Sequence, residues 1–416
     1  MSKSAEAYVK LVLKIGAWDD GYVDAYYGPK EWMPAPVPEN EKGKFPYAEL
    51  SAESARIIKE LDGVSTAELK SLEKLRLQYL KTQMRSVNAR IEILNGKKMT
   101  FDEESEVLYD AVSPVHKEEW FQDKIRQLDS ILPGTGDIAA RFEKFHNRFI
   151  IPAGRLDTVF QAAIKECRRR TKENIELPAN ENFTVAYVKD KPWGAYNWYK
   201  GDKFSLIEVN TDLPVFVDRA IDLACHEGYP GHHVYNALLE QHLVDDLGWI
   251  EYTVYPLYSP QSLIAEGTAN YGIDVAFPGE ERVEFEKKAI FPLAGIDPAS
   301  ADKYYKVLEL TGDLKYATNE AARNYLDGRI SREQAVEYLM KYSLSSRDRA
   351  ERSLRFIEHY RSYVINYNTG QDIIHNYIEK NGGTRENNKK RWELFKEIIS
   401  TPRTPSELSE PGLRGY

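Results

Sequence analysis

Three of the eight histidines in this 416-residue chain lie in one short segment, beside a glutamate. The segment reads His226-Glu-Gly-Tyr-Pro-Gly-His-His233. Imidazole nitrogens and a carboxylate are the ligands that a catalytic zinc ion takes in proteins, with one position left open for water. In the common helical motif, His-Glu-x-x-His, the glutamate beside the first histidine is the general base. The segment therefore predicts a Zn²⁺ site with His226 as a ligand and Glu227 as the base.

The second histidine ligand is harder to assign, because Pro230 stands four residues after His226. On a straight helix, His232 would point about 120° away from His226 and His233 would lie about 10.5 Å farther along the axis. Neither pair could then share one ion. Proline disrupts a helix and the neighbouring glycines permit unusual backbone angles, so we expect a bulge or break over residues 229–231. Such a break favours His232 as the second ligand, with His233 as the alternative.

The third ligand is expected from a later helix. Glu266 lies among small and apolar residues in the run Ser262-Leu-Ile-Ala-Glu-Gly-Thr-Ala-Asn-Tyr271. A buried glutamate is costly unless it is paired or bound to a metal, so Glu266 is the predicted third ligand. Asn270 and Asp274 follow on roughly the same helix face and are candidates to orient the ligand histidines.

The histidine segment closely resembles the His-Glu-x-x-Pro-Gly-His-His signature of the family called domain of unknown function 885, which is grouped with the zincin-like metallopeptidases. Further matches occur in the family's order: Ala195-Tyr-Asn, Glu266-Gly-x-Ala-x-Tyr271, Arg361-x-Tyr363, Gly370-Gln371 and Tyr377, and more loosely Tyr22-Val-Asp-Ala-Tyr-Tyr-Gly-Pro29. The chain departs from the family at Thr369-Gly-Gln-Asp372, where Pro-Gly-Gln-Ala is expected. The resemblance implies a fold like that of the helical zincin carboxypeptidases and oligopeptidases, with a small sheet lining a cleft between helical halves.

The predicted reaction is amide hydrolysis by metal-activated water, with Glu227 passing the water's proton to the leaving amine. The oxyanion needs a second stabilising group, and a tyrosine hydroxyl, a neutral histidine or an arginine can serve. The candidates for this role are Tyr363, Arg361, Tyr367 and His233. Of these, Tyr363 and His233 are predicted to be catalytic.

The predicted substrates are short peptides, because a helical cleft tends to exclude folded proteins. Arg361 suits a substrate carboxylate, since a guanidinium can donate two hydrogen bonds to it. Tyr367 and Gln371 are the other predicted substrate-binding residues. The alternatives are an amidohydrolase for a non-peptide amide or a modified amino acid, and a non-catalytic scaffold stabilised by the metal. Glu227 argues against a scaffold, because a structural zinc site has four protein ligands and needs no base.

Helices must position most of these residues, because helical periodicity dominates the chain. Helices are predicted over residues 66–95, 117–132, 137–149, 153–171, 215–239, 261–276, 332–342, 347–363 and 387–400. Three runs rich in β-formers between residues 182 and 210 predict a small antiparallel sheet just before the histidine segment. The predicted fold class is therefore mainly α, with a helical zincin-like architecture and a small antiparallel sheet beside the active-site helix.

We divide the chain into a helical N-terminal region (1–175), a catalytic region (176–400) and a tail (401–416), with the first two packed as one unit. The proline-rich tail is expected to be a poorly ordered end or a strap on the surface.

Composition excludes several classes of partner. The net charge is −9 and no block of like charges stands out, which disfavours nucleic acid. No uninterrupted apolar stretch reaches the roughly 18 residues that span a membrane. The only cysteines, Cys167 and Cys225, are expected to be buried reduced thiols. We therefore expect a cytoplasmic protein without nucleic-acid or membrane partners, and the oligomeric state is left open.

Overall fold

The computed structural model describes residues 1–41, 43–191 and 193–409. Helices dominate its first 175 residues: α1 (Ser2–Gly16), α2 (Tyr47–Asp62), α3 (Ser71–Leu94), α4 (Phe101–Tyr109), α5 (Glu118–Ile131), α6 (Ile138–His146) and α7 (Leu156–Asn174). The later helices are α8 (Val217–Leu223), α9 (His232–Leu239), α10 (Pro260–Ala276), α11 (Glu280–Phe285), α12 (Phe291–Ala294), α13 (Ala301–Gly312), α14 (Ala317–Leu326), α15 (Arg332–Tyr342), α16 (Arg347–Tyr360), α17 (Ile365–Lys380), α18 (Asn388–Ser400) and α19 (Pro405–Ser409).

The strands are β1 (Val23–Tyr26), β2 (Asn182–Val188), β3 (Ala195–Tyr199), β4 (Phe204–Asn210) and β5 (Val254–Pro256). In the three-stranded sheet, β4 lies between β2 and β3. The sheet precedes α8 as predicted, and the mainly helical fold class is confirmed.

One strand pairing differs from the simple antiparallel arrangement. β3 and β4 form an antiparallel hairpin, but β2 pairs with β4 in parallel. β4 therefore lies between two strands that are consecutive in the chain but not neighbours in the sheet, which alternation along each strand does not predict. β1 and β5 form a separate antiparallel pair that the periodicity does not predict, because each is only three or four residues long.

The core runs across the predicted boundary near residue 175. Arg76 on α3 forms a buried ion pair with Glu251, and Tyr79 donates a hydrogen bond of 2.7 Å to Gln261 at the start of α10. The buried apolar side chains of both regions belong to one continuous cluster. The division into two regions stays a prediction.

The tail prediction falls partly within the described residues. α19 packs against α17, and its Leu408 is buried, so this part of the tail is an ordered helix. Residues 410–416 lie outside the described part. None of the described helices combines the length and the apolar character that a membrane-spanning helix needs.

Candidate metal centre and active site

The histidine segment bends at the place that its proline and glycines predict. α8 continues into a π-helical turn, Ala224–Gly228, which carries His226 and Glu227. A cis peptide joins Tyr229 to Pro230, and α9 then begins at His232. A Cβ atom at Gly231 would lie 2.0 Å from the carbonyl oxygen of His226, so only glycine allows this close return of the chain. The predicted break in the helix over residues 229–231 is present.

The break places His232, rather than His233, beside His226. The two Nε2 atoms lie 3.1 Å apart. Oε2 of Glu266 lies 3.3 Å from Nε2 of His226 and 3.7 Å from Nε2 of His232. In the part of the chain that the structure describes, these three residues form the one group of histidine, cysteine or acidic side chains arranged closely enough to hold a metal ion.

The donor set fits a divalent cation. Oε2 of Glu266 is buried and accepts no hydrogen bond, although a buried carboxylate oxygen without a partner is costly. The two imidazole nitrogens converge on the same space. Two imidazoles and one carboxylate suit zinc, and they also suit manganese, cobalt or iron.

Two further side chains fix the orientation of this cluster. The side-chain amide of Asn270 donates a 2.8 Å hydrogen bond to the carbonyl of Tyr367, which leaves its oxygen to accept from Nδ1 of His226 at 3.0 Å. With its proton on Nδ1, His226 presents a free lone pair on Nε2. Tyr363 donates a 2.9 Å hydrogen bond to Oε1 of Glu266. Asp274, the other predicted orienting residue, lies instead 3.4 Å from Gln371.

The electrostatics of the cluster favour positive charge. Burial alone would lower the pKa of His232, but the carboxylates of Glu266, Glu227 and Asp24 outweigh it and raise that pKa to about 9. Burial would raise the pKa of Glu266, but His232 and His226 hold it well below its ordinary value. The carboxylates around the two imidazoles therefore create a negative potential, which favours the binding of a cation.

The cluster lies in the wall of a cavity of about 530 Å³. Glu227 also lines this cavity, and its backbone carbonyl accepts a 2.7 Å hydrogen bond from Asn197 on β3. Tyr363, Tyr367 and Gln371 line the cavity as well. The structure therefore brings most of the predicted site residues together around one space.

Two predicted site residues lie elsewhere. His233 is fully buried, with Nδ1 2.9 Å from the Ser205 hydroxyl and Nε2 3.1 Å from Glu181. Successive helical residues point about 100° apart, so His233 faces the sheet when His232 faces the cavity. Arg361 donates a 2.7 Å hydrogen bond to Glu104. Neither residue lines the cavity, so the structure does not bring His233, predicted to be catalytic, or Arg361, predicted to bind substrate, together with the other predicted site residues.

The cavity is also lined by residues that the sequence did not predict as site residues. Asp24 on β1 accepts a hydrogen bond from Tyr196 on β3, and burial raises the pKa of this carboxyl to about 6. The exposed side chains of Arg219 and Lys315 also contribute to the lining. Asp24 lies in the run Tyr22–Pro29, which matches the family loosely. A single aspartate about 200 residues before the histidine segment does not by itself indicate a catalytic or binding role.

Comparisons with known proteins support the fold. No family model and no curated protein matches this chain. The crystal structure of a candidate lipoprotein from Colwellia psychrerythraea superposes with a TM-score of 0.55 at 16% identity, over 91% of this chain and 70% of that one. A candidate lipoprotein of unknown function from Shewanella oneidensis superposes with a TM-score of 0.45 at 13% identity, over 85% of this chain and 72% of that one.

An M32 carboxypeptidase from Deinococcus radiodurans R1 gives a TM-score of 0.41 at 13% identity, over 98% of this chain and 92% of that one. At such identities a likeness concerns the fold alone, and of these three only the Colwellia protein is similar enough to show it. Function must therefore be inferred from the residues of the site.

Proposed function

We propose that this chain is a zinc-dependent hydrolase that cleaves amide bonds in short peptides, with His226, His232 and Glu266 as the metal ligands and Glu227 as the general base. The observation that carries the proposal is the convergence of two imidazole nitrogens on the unpaired oxygen of Glu266, in the wall of a cavity that Glu227 also lines. The resemblance of the motif to the domain of unknown function 885 family supports the same reading.

The bound ion would supply a Lewis acid and lower the pKa of water. The rest of the chemistry belongs to the chain. Glu227 takes the proton of the attacking water and delivers it to the leaving amine, a role that its position next to His226 and on the cavity wall allows. Tyr363 holds the carboxylate of Glu266 in place through its hydroxyl. The hydroxyl of Tyr367 is a donor for the oxyanion, and Gln371 contacts substrate.

The size of the cavity supports a small substrate. A space of about 530 Å³ lies within the range of sites for drug-sized ligands, which suits a short peptide and excludes a folded protein. We also propose a cytoplasmic location, which is supported by the free, buried thiols of Cys167 and Cys225.

The test is hydrolysis of a pool of di-, tri- and tetrapeptides, followed by mass spectrometry, with zinc-loaded wild type and Glu227→Gln. We expect the wild type to cleave several unrelated peptides, a chelator to abolish cleavage and added zinc to restore it. A metal-loaded wild type that cleaves no peptide would contradict the peptidase assignment and favour an amidohydrolase of narrow specificity. A wild type that binds no metal would favour a non-catalytic scaffold.

A further inference from the structure

Asp24 is a cavity carboxylate that the proposed mechanism does not use. It lies on β1 and accepts a hydrogen bond from Tyr196. Among residues 1–41, 43–191 and 193–409, no lysine or arginine forms an ion pair with Asp24, and Asp24 does not belong to the metal-ligand cluster. Its hydrogen-bond partner is thus a neutral hydroxyl. The two basic residues that line the same cavity have other partners, because Arg219 pairs with Asp222 and Lys315 donates a 2.7 Å hydrogen bond to Gln371.

A bound metal ion would still leave Asp24 without an ion-pair partner. Asp24, Glu227 and Glu266 together carry three negative charges when ionised. A divalent ion on neutral histidines would offset two of them. Because Arg219 and Lys315 have other partners, Asp24 is left without an ion-pair partner among the described residues. A poorly solvated carboxylate is costly without a cation or enough donors. A substrate that carries an ammonium group supplies this partner for Asp24.

Three tyrosines share the cavity lining with Asp24. Tyr196, Tyr255 and Tyr360 line the same cavity. Tyr196 donates its hydrogen bond to the carboxylate, and Tyr255 on β5 pairs with Ala25, the residue after Asp24. Burial, and after burial the charge of Asp24, raise the pKa values of all three hydroxyls. Tyrosine rings attract ammonium groups through their faces, most strongly where water is excluded. A carboxylate among tyrosines is a suitable site for a primary ammonium and unsuitable for an anion.

We infer that Asp24 binds the free α-ammonium group of the substrate's N-terminal residue, so that the site accepts unblocked short peptides and rejects N-acylated ones. This inference rests on the proposed function. The ammonium donates to the carboxylate of Asp24 and to the hydroxyl oxygen of Tyr196. Asp24 lines the same cavity as Glu227 and Glu266. An α-ammonium lies near the reacting bond of a short peptide, whereas a lysine ammonium stands four methylenes from its backbone.

The first test compares kcat/KM for Ala-Ala-Ala and its N-acetyl derivative, with wild type, Asp24→Asn and Asp20→Asn. Asp20 is exposed in the same segment and is the matched control for loss of a charge. We expect the wild type and Asp20→Asn to prefer the free peptide by about 50-fold or more, a size consistent with loss of a charge-assisted pair. Asp24→Asn should reduce this preference to a few-fold, by slowing cleavage of the free peptide alone.

Equal cleavage of both peptides by wild type, or an equal fall on both in Asp24→Asn, overturns the inference and leaves the proposed function standing. An N-acetyl peptide with a lysine side chain distinguishes the source of the ammonium. If it reacts as fast as the free peptide, the α-ammonium assignment is wrong.

Calorimetric titration of zinc-loaded Glu227→Gln with the same peptides gives an answer even if no peptide is cleaved. The free peptide should bind at least about ten-fold more tightly than the acetylated one, and Asp24→Asn should remove the difference. Equal affinities in the presence of Asp24 overturn the inference independently of any activity.

Discussion

His232 and His233 are neighbours in the chain but belong to two different clusters. Nε2 of His232 lies 3.7 Å from Glu266, and Nε2 of His233 lies 3.1 Å from Glu181. Both glutamates are buried. We call the first group, with His226, the cavity cluster, and the second, with Ser205, Tyr229 and Arg168, the sealed cluster.

The two clusters differ in how completely their carboxylates are satisfied. Glu181 receives hydrogen bonds from Tyr229 and Arg168, both at 2.6 Å, as well as contacting His233. Glu266 leaves one oxygen without a hydrogen bond and faces a cavity. A buried carboxylate that accepts hydrogen bonds on both oxygens stabilises a fold. A carboxylate at a cavity wall with one oxygen that accepts no hydrogen bond can bind a ligand there. We therefore expect the same residue types to serve structure in one cluster and binding in the other.

The largest expected contrast is catalytic and compares Glu227, which lines the cavity beside the cavity cluster, with Glu181 of the sealed cluster. Glu227→Gln should lower kcat for peptide cleavage by about 10²–10⁴-fold, because the general base is lost. Glu181→Gln should leave kcat within a few-fold, because Glu181 does not line the cavity. Steady-state kinetics on the zinc-loaded variants measure both values. If Glu181→Gln lowers kcat as much as Glu227→Gln does, the assignment of a structural role to the sealed cluster is wrong.

The next contrast concerns stability. His233→Ala should lower the free energy of unfolding by about 3 kcal/mol, because it removes a buried partner of Glu181 and leaves a void. His232→Ala should lower it by less in metal-free protein, because its side chain borders the cavity and leaves no closed void, although it also removes a partner of Glu266. Urea unfolding of both variants without metal gives the two numbers. If His233→Ala does not fold, Ser205→Ala tests the same cluster with a smaller expected loss.

A smaller contrast concerns the side chains that hold each histidine ring. Asn270→Ala should weaken zinc binding by about 10–100-fold, because Asn270 fixes the ring of His226. Ser205→Ala, which removes the equivalent 2.9 Å contact of His233, should leave zinc affinity unchanged. Competition with a fluorescent chelator measures both affinities. Equal weakening in the two variants would mean that both histidines act on the metal.

The smallest expected effect is a pH dependence of the sealed cluster. Burial raises the pKa of Glu181, but hydrogen bonds from His233, Tyr229 and Arg168 outweigh it and lower the pKa below the ordinary 4.5. The ionised group therefore contributes stability above pH 4.5, and this contribution is lost as the pH falls through its folded-state pKa. The stability difference between wild type and Glu181→Gln should narrow on acidification below pH 4.5. A difference that stays constant would contradict this account of Glu181.

Local signals in the sequence pointed to the three residues that the structure brings together as a possible metal-binding group, and their role as ligands stays a prediction. Residue type selected His226, Glu227 and Glu266, and proline chemistry predicted the break that moves His232 into place. The direction of His233 was not predictable, because it depends on how the chain leaves the cis peptide and on the sheet behind it. Asp24 could not be selected, because only the pairing of β1 with β5 carries it to the cavity.

The missed helix α17 shows a second limit. Gly370 lies inside this helix, where glycine ordinarily signals an end. A Cβ atom at Gly267 would lie 2.5 Å from the backbone of Gly370, so the glycines allow α10 and α17 to cross closely. This crossing brings Tyr363 and Tyr367 to Glu266 and Asn270. A contact between distant segments, rather than local propensity, explains the glycine.

The central claim is that His232, and not its neighbour, completes the metal site. The measurement that tests it most directly is metal content by elemental analysis, after zinc loading and dialysis, of wild type, His232→Ala and His233→Ala. We predict about one zinc per chain in wild type and in folded His233→Ala, and strong loss of zinc in His232→Ala. Retention of zinc by His232→Ala together with its loss from a folded His233→Ala would contradict the account.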